Sequence, residues 1–268
     1  MKPILGTLTL ALGLLADGGG AATHLRPATL EGWNQYVAAV EDRRQAEVPS
    51  GGRFLTTDFT PEAAASRQAV MAGQRVIDRV DAPAPGGRSI DVDDALVHHW
   101  RGAVLLRGAT LDALMTRLQS EPPPLSPEVR RASVIDRGPS FIKVFLRLQR
   151  TKIVTAVYNT EHEVTFARHG QGRASSRSVA TRIAEVDDAG QPGERELAPG
   201  EDQGFLWRLN AYWRYEAVPG GVIAECESIS LSRNVPFGLG AVVGPIVRST
   251  ARESMERTLA SLAEMAAR

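Results

Sequence analysis

Along the second half of the chain apolar and polar side chains take turns regularly enough to predict paired strands. Residues 141–149 place Ile142, Val144, Leu146 and Leu148 on one face. After Arg150, Thr151 and Lys152 the pattern resumes with Val154, Ala156, Tyr158, Thr160, His162, Val164 and Phe166. A hairpin turning on Arg150–Lys152 would set Leu148 opposite Val154 and Val144 opposite Tyr158, so that both even-numbered sets share one face. Residues 177–186 read as a further strand after a polar turn at 169–173. Residues 205–216 and 222–233 read as a second hairpin around Pro219-Gly220. Its register sets Arg214 opposite Glu225 and Tyr212 opposite Glu227. Trp207, Leu209, Ala211, Trp213 and Tyr215 then share the other face with Ala224, Cys226, Ser228 and Ser230, large rings against small residues. Ile246, Val247, Met255, Leu259, Leu262 and Met265 form the apolar stripe of a long C-terminal helix that follows a glycine-containing segment.

The first half is more helical. Trp33, Tyr36, Val37 and Val40 repeat at helical spacing in a helix over 29–44, with Thr29 as its cap. Residues 53–57 read as a short strand, Thr60-Pro61-Glu62 as the start of a helix to Met71, and residues 74–80 as a strand. Asp81 to Ser89 is a Pro- and Gly-rich connection. A strand over 96–107 and a short helix over 109–118 follow, and Glu121-Pro122-Pro123-Pro124 cannot continue that helix. Asp187 to Gly204 reads as a long solvated loop.

Charge changes the picture by what it excludes. With 31 basic and 31 acidic residues in 268, the chain has no net pull toward nucleic acid or an anionic membrane, so no nucleic-acid partner is expected. Lys2, the apolar run Ile4–Leu15 and the small residues Gly20-Ala21-Ala22 read as a signal peptide over 1–22, which implies a periplasmic or secreted protein. Cys226 is the single cysteine, so no intrachain disulfide forms and the core must carry the stability.

The order strand, short helix, antiparallel strands and terminal helix resembles the START/SRPBCC helix-grip superfamily of lipid-transfer domains, pollen allergens and polyketide cyclases. The resemblance rests on Leu96-Val97-His98-His99-Trp100 leading to Gly108-Ala109-Thr110-Leu111-Asp112, on Thr181–Val186, on Phe205–Asn210 and on the final unit from Gly204 to Arg268. It implies an α+β fold, a curved antiparallel sheet wrapped around a long C-terminal helix, over 91–268, with 23–90 as an N-terminal helical extension outside the common core. It also implies a hydrophobic small molecule or lipid held between sheet and helix, no cofactor, a monomer, and transient contact with a membrane.

The candidate ligand-binding residues are Tyr158, Thr160, His162, Arg182, Trp207, Trp213, Arg214 and Glu225. Tyr158, Thr160 and His162 share the apolar face of the first hairpin, as head-group contacts or satisfied core polar groups. Trp207 and Trp213 are pocket-lining aromatics or plain core. Arg214 with Glu225 is a head-group clamp inside, or a weak surface pair outside, where alternation places it. Arg182 is inward with Ala180 and Ala184, or solvated if Val179 and Ile183 face in. His162-Glu163 begins like a zinc-protease motif but residue 166 is Phe, and His98 and His99 point to opposite faces, so no metal is expected. With no Gly-x-Ser-x-Gly elbow and no phosphate loop, no nucleophile can be named. The chain reads first as a carrier. A cyclase-like enzyme using Tyr158 and His162 for proton transfer is the second reading, and an envelope docking module the third.

Overall fold

The computed structural model describes residues 25–48, 52–80, 90–151, 155–234 and 240–267, with the side chains of the last segment described from Ser249. The leader therefore lies outside the described residues, as do the whole Asp81–Ser89 connection, Gly238, and the side chains of Ile246 and Val247.

Helix α1 (Pro27–Glu47), a 3-10 turn (Thr56–Phe59) and α2 (Ala63–Met71) precede strands β1 (Val76–Arg79) and β2 (Ala95–Arg107). Helix α3 (Leu111–Ser120) follows, then β3 (Val129–Arg137), β4 (Phe141–Thr151), β5 (Thr155–Arg168), β6 (Arg173–Asp187), β7 (Arg195–Glu196), β8 (Arg208–Val218), β9 (Gly221–Arg233) and the terminal helix α4 (Gly240–Ala266). Among the described residues the strands make one curved antiparallel sheet in the order β1-β2-β9-β8-β6-β5-β4-β3, with β7 on β6.

Both predicted hairpins form, one with an altered register. Arg214 pairs with Glu225 and Tyr212 with Glu227, as read. The turn between them carries Gly220 at φ 87°, a conformation glycine adopts without the steric cost other residues meet. In the first hairpin Leu148 faces Tyr158 and Val144 faces His162, because both strands run past the expected loop as far as the Thr151–Thr155 pair. The slip is an even number of residues, so every side chain keeps its predicted face.

Helix α4 lies on one face of the sheet. Met255, Leu259, Leu262 and Met265 meet Val104, Ala224, Cys226 and Tyr215 there, with α3 contributing Leu111, Leu114 and Met115. Thr110 caps α3, its hydroxyl accepting from the Ala113 amide at 3.3 Å. Gly102 is what lets α4 approach β2. A Cβ there would lie 2.8 Å from Leu259 Cδ1 and from Met255 Cγ, closer than carbon atoms pack.

The opposite face carries the N-terminal elements. Trp33, Tyr36 and Val40 of α1 pack on Tyr212, Ile229 and Leu231, while Phe54, Leu55 and Val70 pack on Ala103, Leu105 and Ile223. The sheet is thus buried on both sides over β2, β8 and β9. Residues 53–57 enter a 3-10 turn instead of a strand. The Asp58 carboxylate draws the Phe54 and Leu55 amides to itself at 3.0 and 2.9 Å, and Glu225 takes those of Thr56 and Thr57.

Candidate functional site

Between α4 and the sheet lies a cavity of about 290 Å³. Its wall follows from strand alternation. Leu146, Val144 and Ile142 of β4 face in with His162, Val164 and Phe166 of β5. Ser176 and Ser178 of β6, Leu209, Ala211 and Trp213 of β8, and Ser228 and Ser230 of β9 complete the floor. Ala211 sits between Ser178 and Ser228 in the pairing. These three small side chains leave the space that rings of Trp213's size would fill. Trp213 and Tyr215 stack on the same face, centroids 5.9 Å apart. Met255, Thr258 and Leu262 of α4 form the roof, and Arg117, Glu121 and Pro122–Pro124 edge one side.

The eight candidates separate into three groups. His162 and Trp213 reach the wall. Tyr158 and Thr160 lie on the same face but behind it. Tyr158 packs with Leu148 and Leu206, and its buried hydroxyl has no hydrogen-bond partner among the described residues. Burial raises its pKa, with the Glu185 charge adding to that, so the phenol stays protonated. Thr160 donates to the Leu146 carbonyl at 3.2 Å and meets His162 Nε2 at 3.0 Å. The proton-transfer pair of the enzyme reading is therefore not brought together at the cavity.

The remaining four stand elsewhere. Arg182 lies on the outer surface, paired with Glu196. Its strand answers both alternatives, because a bulge between the Glu161 and His162 pairings exchanges the faces. Before the bulge Ser178 and Ala180 share the cavity face. Beyond it Ile183 does. Trp207 precedes β8, so alternation does not govern it. Its ring joins Trp33 and Tyr36 on the opposite face and its Nε1 donates to Asp202 at 3.1 Å.

Arg214 and Glu225 face away from the cavity, as alternation required, yet each is only 1% exposed. Nor do they form the expected pair. Arg214 donates to Glu47 at 2.7 Å and to the Phe54 and Arg44 carbonyls at 2.8 and 2.9 Å. Glu225 accepts from the Thr56 and Thr57 amides at 2.5 and 2.9 Å and from the Thr57 hydroxyl.

The same layer holds Glu227, which accepts from His99 Nε2 at 2.7 Å, Arg44 at 2.7 Å and Arg43. Tyr36 completes the array, 2.9 Å from His99 Nδ1. Burial alone would raise the Glu227 pKa, but the His99 hydrogen bond and the charges of Arg44 and Arg43 outweigh it and hold the group well below the usual carboxylate range. Cys226, between these two carboxylates in sequence but on the other face, has its thiol pKa pushed up by burial and is a packed side chain.

His162 has a pH signature that can be measured. Burial lowers its pKa from 6.5 to about 4, so it is neutral in the folded chain at pH 7. Below pH 6.5 the unfolded chain takes up a proton that the folded chain refuses until about pH 4. Stability is therefore full above 6.5 and falls as pH drops toward 4. His162→Leu should reduce the loss between pH 7 and 4.5 by on the order of 2 kcal/mol, read from urea midpoints at the two pH values. An unchanged pH slope would show that the imidazole titrates freely.

Sequence reasoning missed Arg150, Ser176 and Ser178, which also reach the wall. The sequence reading sets Arg150 in a hairpin loop and leaves Ser176 between the polar turn at 169–173 and the strand that starts at Arg177. Carrying the even-numbered face of β4 through position 150 is the signal that finds the first. Among the described residues no group of three or more His, Cys, Asp or Glu side chains is placed to hold a metal, and no helix is long and apolar enough to cross a membrane.

A curved antiparallel sheet gripping its terminal helix, with a hollow between them, is a helix-grip fold, and this chain has that fold. No family model and no curated protein matches the sequence. Among solved structures it is similar to a STAR-related lipid transfer protein from Xanthomonas axonopodis, with 16% identity over 66% of this chain and 96% of that one and a TM-score of 0.45. It is also similar to the lipid transfer and protein localization domain of human StarD13, at 9% identity over 75% and 93% of the two chains and a TM-score of 0.39. The Zhui aromatase/cyclase from Streptomyces sp. R1128 gives 14% identity over 65% and 95% and a TM-score of 0.35. At these identities the likeness is one of architecture.

Proposed function

We propose that this protein is an exported carrier that holds one lipid-like or other apolar small molecule between the sheet and α4. The observation that supports the reading is the cavity itself, about 290 Å³ of space walled mainly by aliphatic and aromatic side chains, beneath a sheet that is packed on both faces over β2, β8 and β9. That volume stands at the lower end of ligand pockets, about 300–1,000 Å³, and suits one chain or a compact ring system. Burial of ligand methylenes at about 0.8 kcal/mol each would supply most of the affinity. Catalysis is the weaker reading because His162 already shares its Nε2 with Thr160, and the Tyr158 hydroxyl does not reach the wall. A docking role for the N-terminal helices is likewise disfavoured, since α1 directs its apolar stripe at its own sheet. Export rests on the leader pattern at residues 1–22.

Native mass spectrometry of protein purified from its own host reads both halves of the proposal at once. The expected spectrum shows a chain shortened by the leader, carrying a non-covalent adduct that organic extraction removes. A full-length mass starting at Met1 would overturn export. A homogeneous ligand-free mass, together with no uptake of fluorescent fatty acids, would overturn the carrier role.

A further inference from the structure

Three arginines reach the cavity wall, and two are committed to carboxylates. Arg117 pairs with Glu121 at 3.0 Å and Arg257 with Glu128 at 2.8 Å. Arg150 is different. Its Nη2 donates to the Ser254 hydroxyl of α4 at 3.0 Å, and that hydroxyl donates in turn to Glu128 at 2.7 Å. Both Glu128 oxygens are thus engaged, one by Arg257 and one by Ser254. Among the described residues Arg150 has no carboxylate within ion-pairing distance, so it alone of the three wall arginines lacks a direct carboxylate partner.

The surroundings of that charge are polar and neutral. His98 of β2 reaches the wall near enough to feel Arg150, its Nε2 2.9 Å from Ser232 Oγ. Burial, then the charges of Arg150 and Arg79, lower the His98 pKa to about 4, which leaves a neutral imidazole at pH 7. Ser230, the cross-strand partner of His98, adds a hydroxyl to the wall. Beyond these groups the floor turns apolar with Leu148 and Leu209. The half-buried guanidinium offers five N–H donors, of which Ser254 uses one. A fork of that shape is matched by the two oxygens of a planar or tetrahedral acid.

We propose that the cavity takes an amphipathic anion, its acid group (a carboxylate or a phosphate monoester) on Arg150 beside Ser230 and its apolar body along the β4, β5 and β8 wall. The proposal rests on the carrier reading and names the ligand class of the same site.

The test uses the delipidated mature-length protein and three probes with a common pyrene-labelled chain: the fatty acid, its methyl ester and the corresponding alkyl phosphate. Fluorescence titration at pH 7 should show the acid binding at least about tenfold more tightly than the ester. Arg150→Met should bring the acid down to the ester's affinity and leave ester binding within about twofold of wild type, which also reports that the variant is folded. Arg150→Lys, which keeps the charge but not the fork, should fall between the two. The alkyl phosphate distinguishes the two sources of acid group by matching the fatty acid or failing to. Equal affinity for acid and ester, or equal losses for both in Arg150→Met, would overturn the anion assignment while sparing the carrier reading. No binding of any probe by the wild-type protein would overturn both.

Discussion

Glu227→Gln should destabilise the folded chain by about 3–5 kcal/mol, the largest single-residue effect expected outside the hydrophobic core. Glu227 is 0% exposed and stands where three donors converge, Arg43 and Arg44 from α1 and His99 from β2. The glutamine is nearly isosteric but neutral, and its amide nitrogen points a donor at groups that are themselves donors. Among the described residues Arg43 then keeps Glu47, which is already shared with Arg214, and Arg44 keeps no carboxylate within ion-pairing distance. A buried ion pair adds little over a well-packed apolar replacement, but removing one member strands the others. Urea unfolding at pH 7 measures the loss directly, and a change under about 1 kcal/mol would mean that water or side-chain rearrangement reaches the layer.

The same carboxylate predicts an acid limb. Its folded pKa lies below the unfolded value, so its contribution is complete above the ordinary carboxylate pKa and is lost as pH falls below it. Wild type should weaken through that range more steeply than Glu227→Gln, which has no proton to take up at this position.

This layer also shows where reading the chain reached its limit. Alternation in β8 and β9 assigned Tyr212, Arg214, Glu225 and Glu227 to the face away from the cavity, and the structure places them there. Alternation reports the side a residue takes and is silent about what covers that side. Polar side chains suggested water, whereas the cover is α1 and the 3-10 turn, elements far away in sequence. The converse clue was available in Trp33, Tyr36 and Val40, an apolar stripe that needed a sheet to bury it.

Strand β3 escaped detection for a local reason. Its pairing with β4 shifts register between Val129 and Arg131 and again between Val134 and Asp136, so no run of regular alternation survives at this sheet edge. The cavity was legible in outline, since the small residues Ser228 and Ser230 facing Ala211 and Leu209 were visible as a pattern. Whether such a pattern closes on itself or leaves a hollow depends on how far α4 stands from the sheet. That distance is set by Gly102, Met255 and Leu259 together, which no single strand announces.

Filling that hollow from its floor should abolish ligand uptake. Ala211→Trp introduces an indole between Ser178 and Ser228, one pair step from Trp213, and directs it into a space of about 290 Å³. Affinity for the fluorescent fatty acid should fall at least about 100-fold, equivalent to roughly 2.7 kcal/mol, and the adduct in the native mass spectrum should disappear. Stability is the informative second reading. If the ring occupies volume meant for ligand, the urea midpoint stays close to that of the ligand-free wild type, since new contacts offset the loss of side-chain freedom. If the interior had no such volume, overpacking would cost about 1–3 kcal/mol and the variant would unfold early. Retention of full probe affinity in a stably folded Ala211→Trp protein would place the ligand somewhere other than beneath α4.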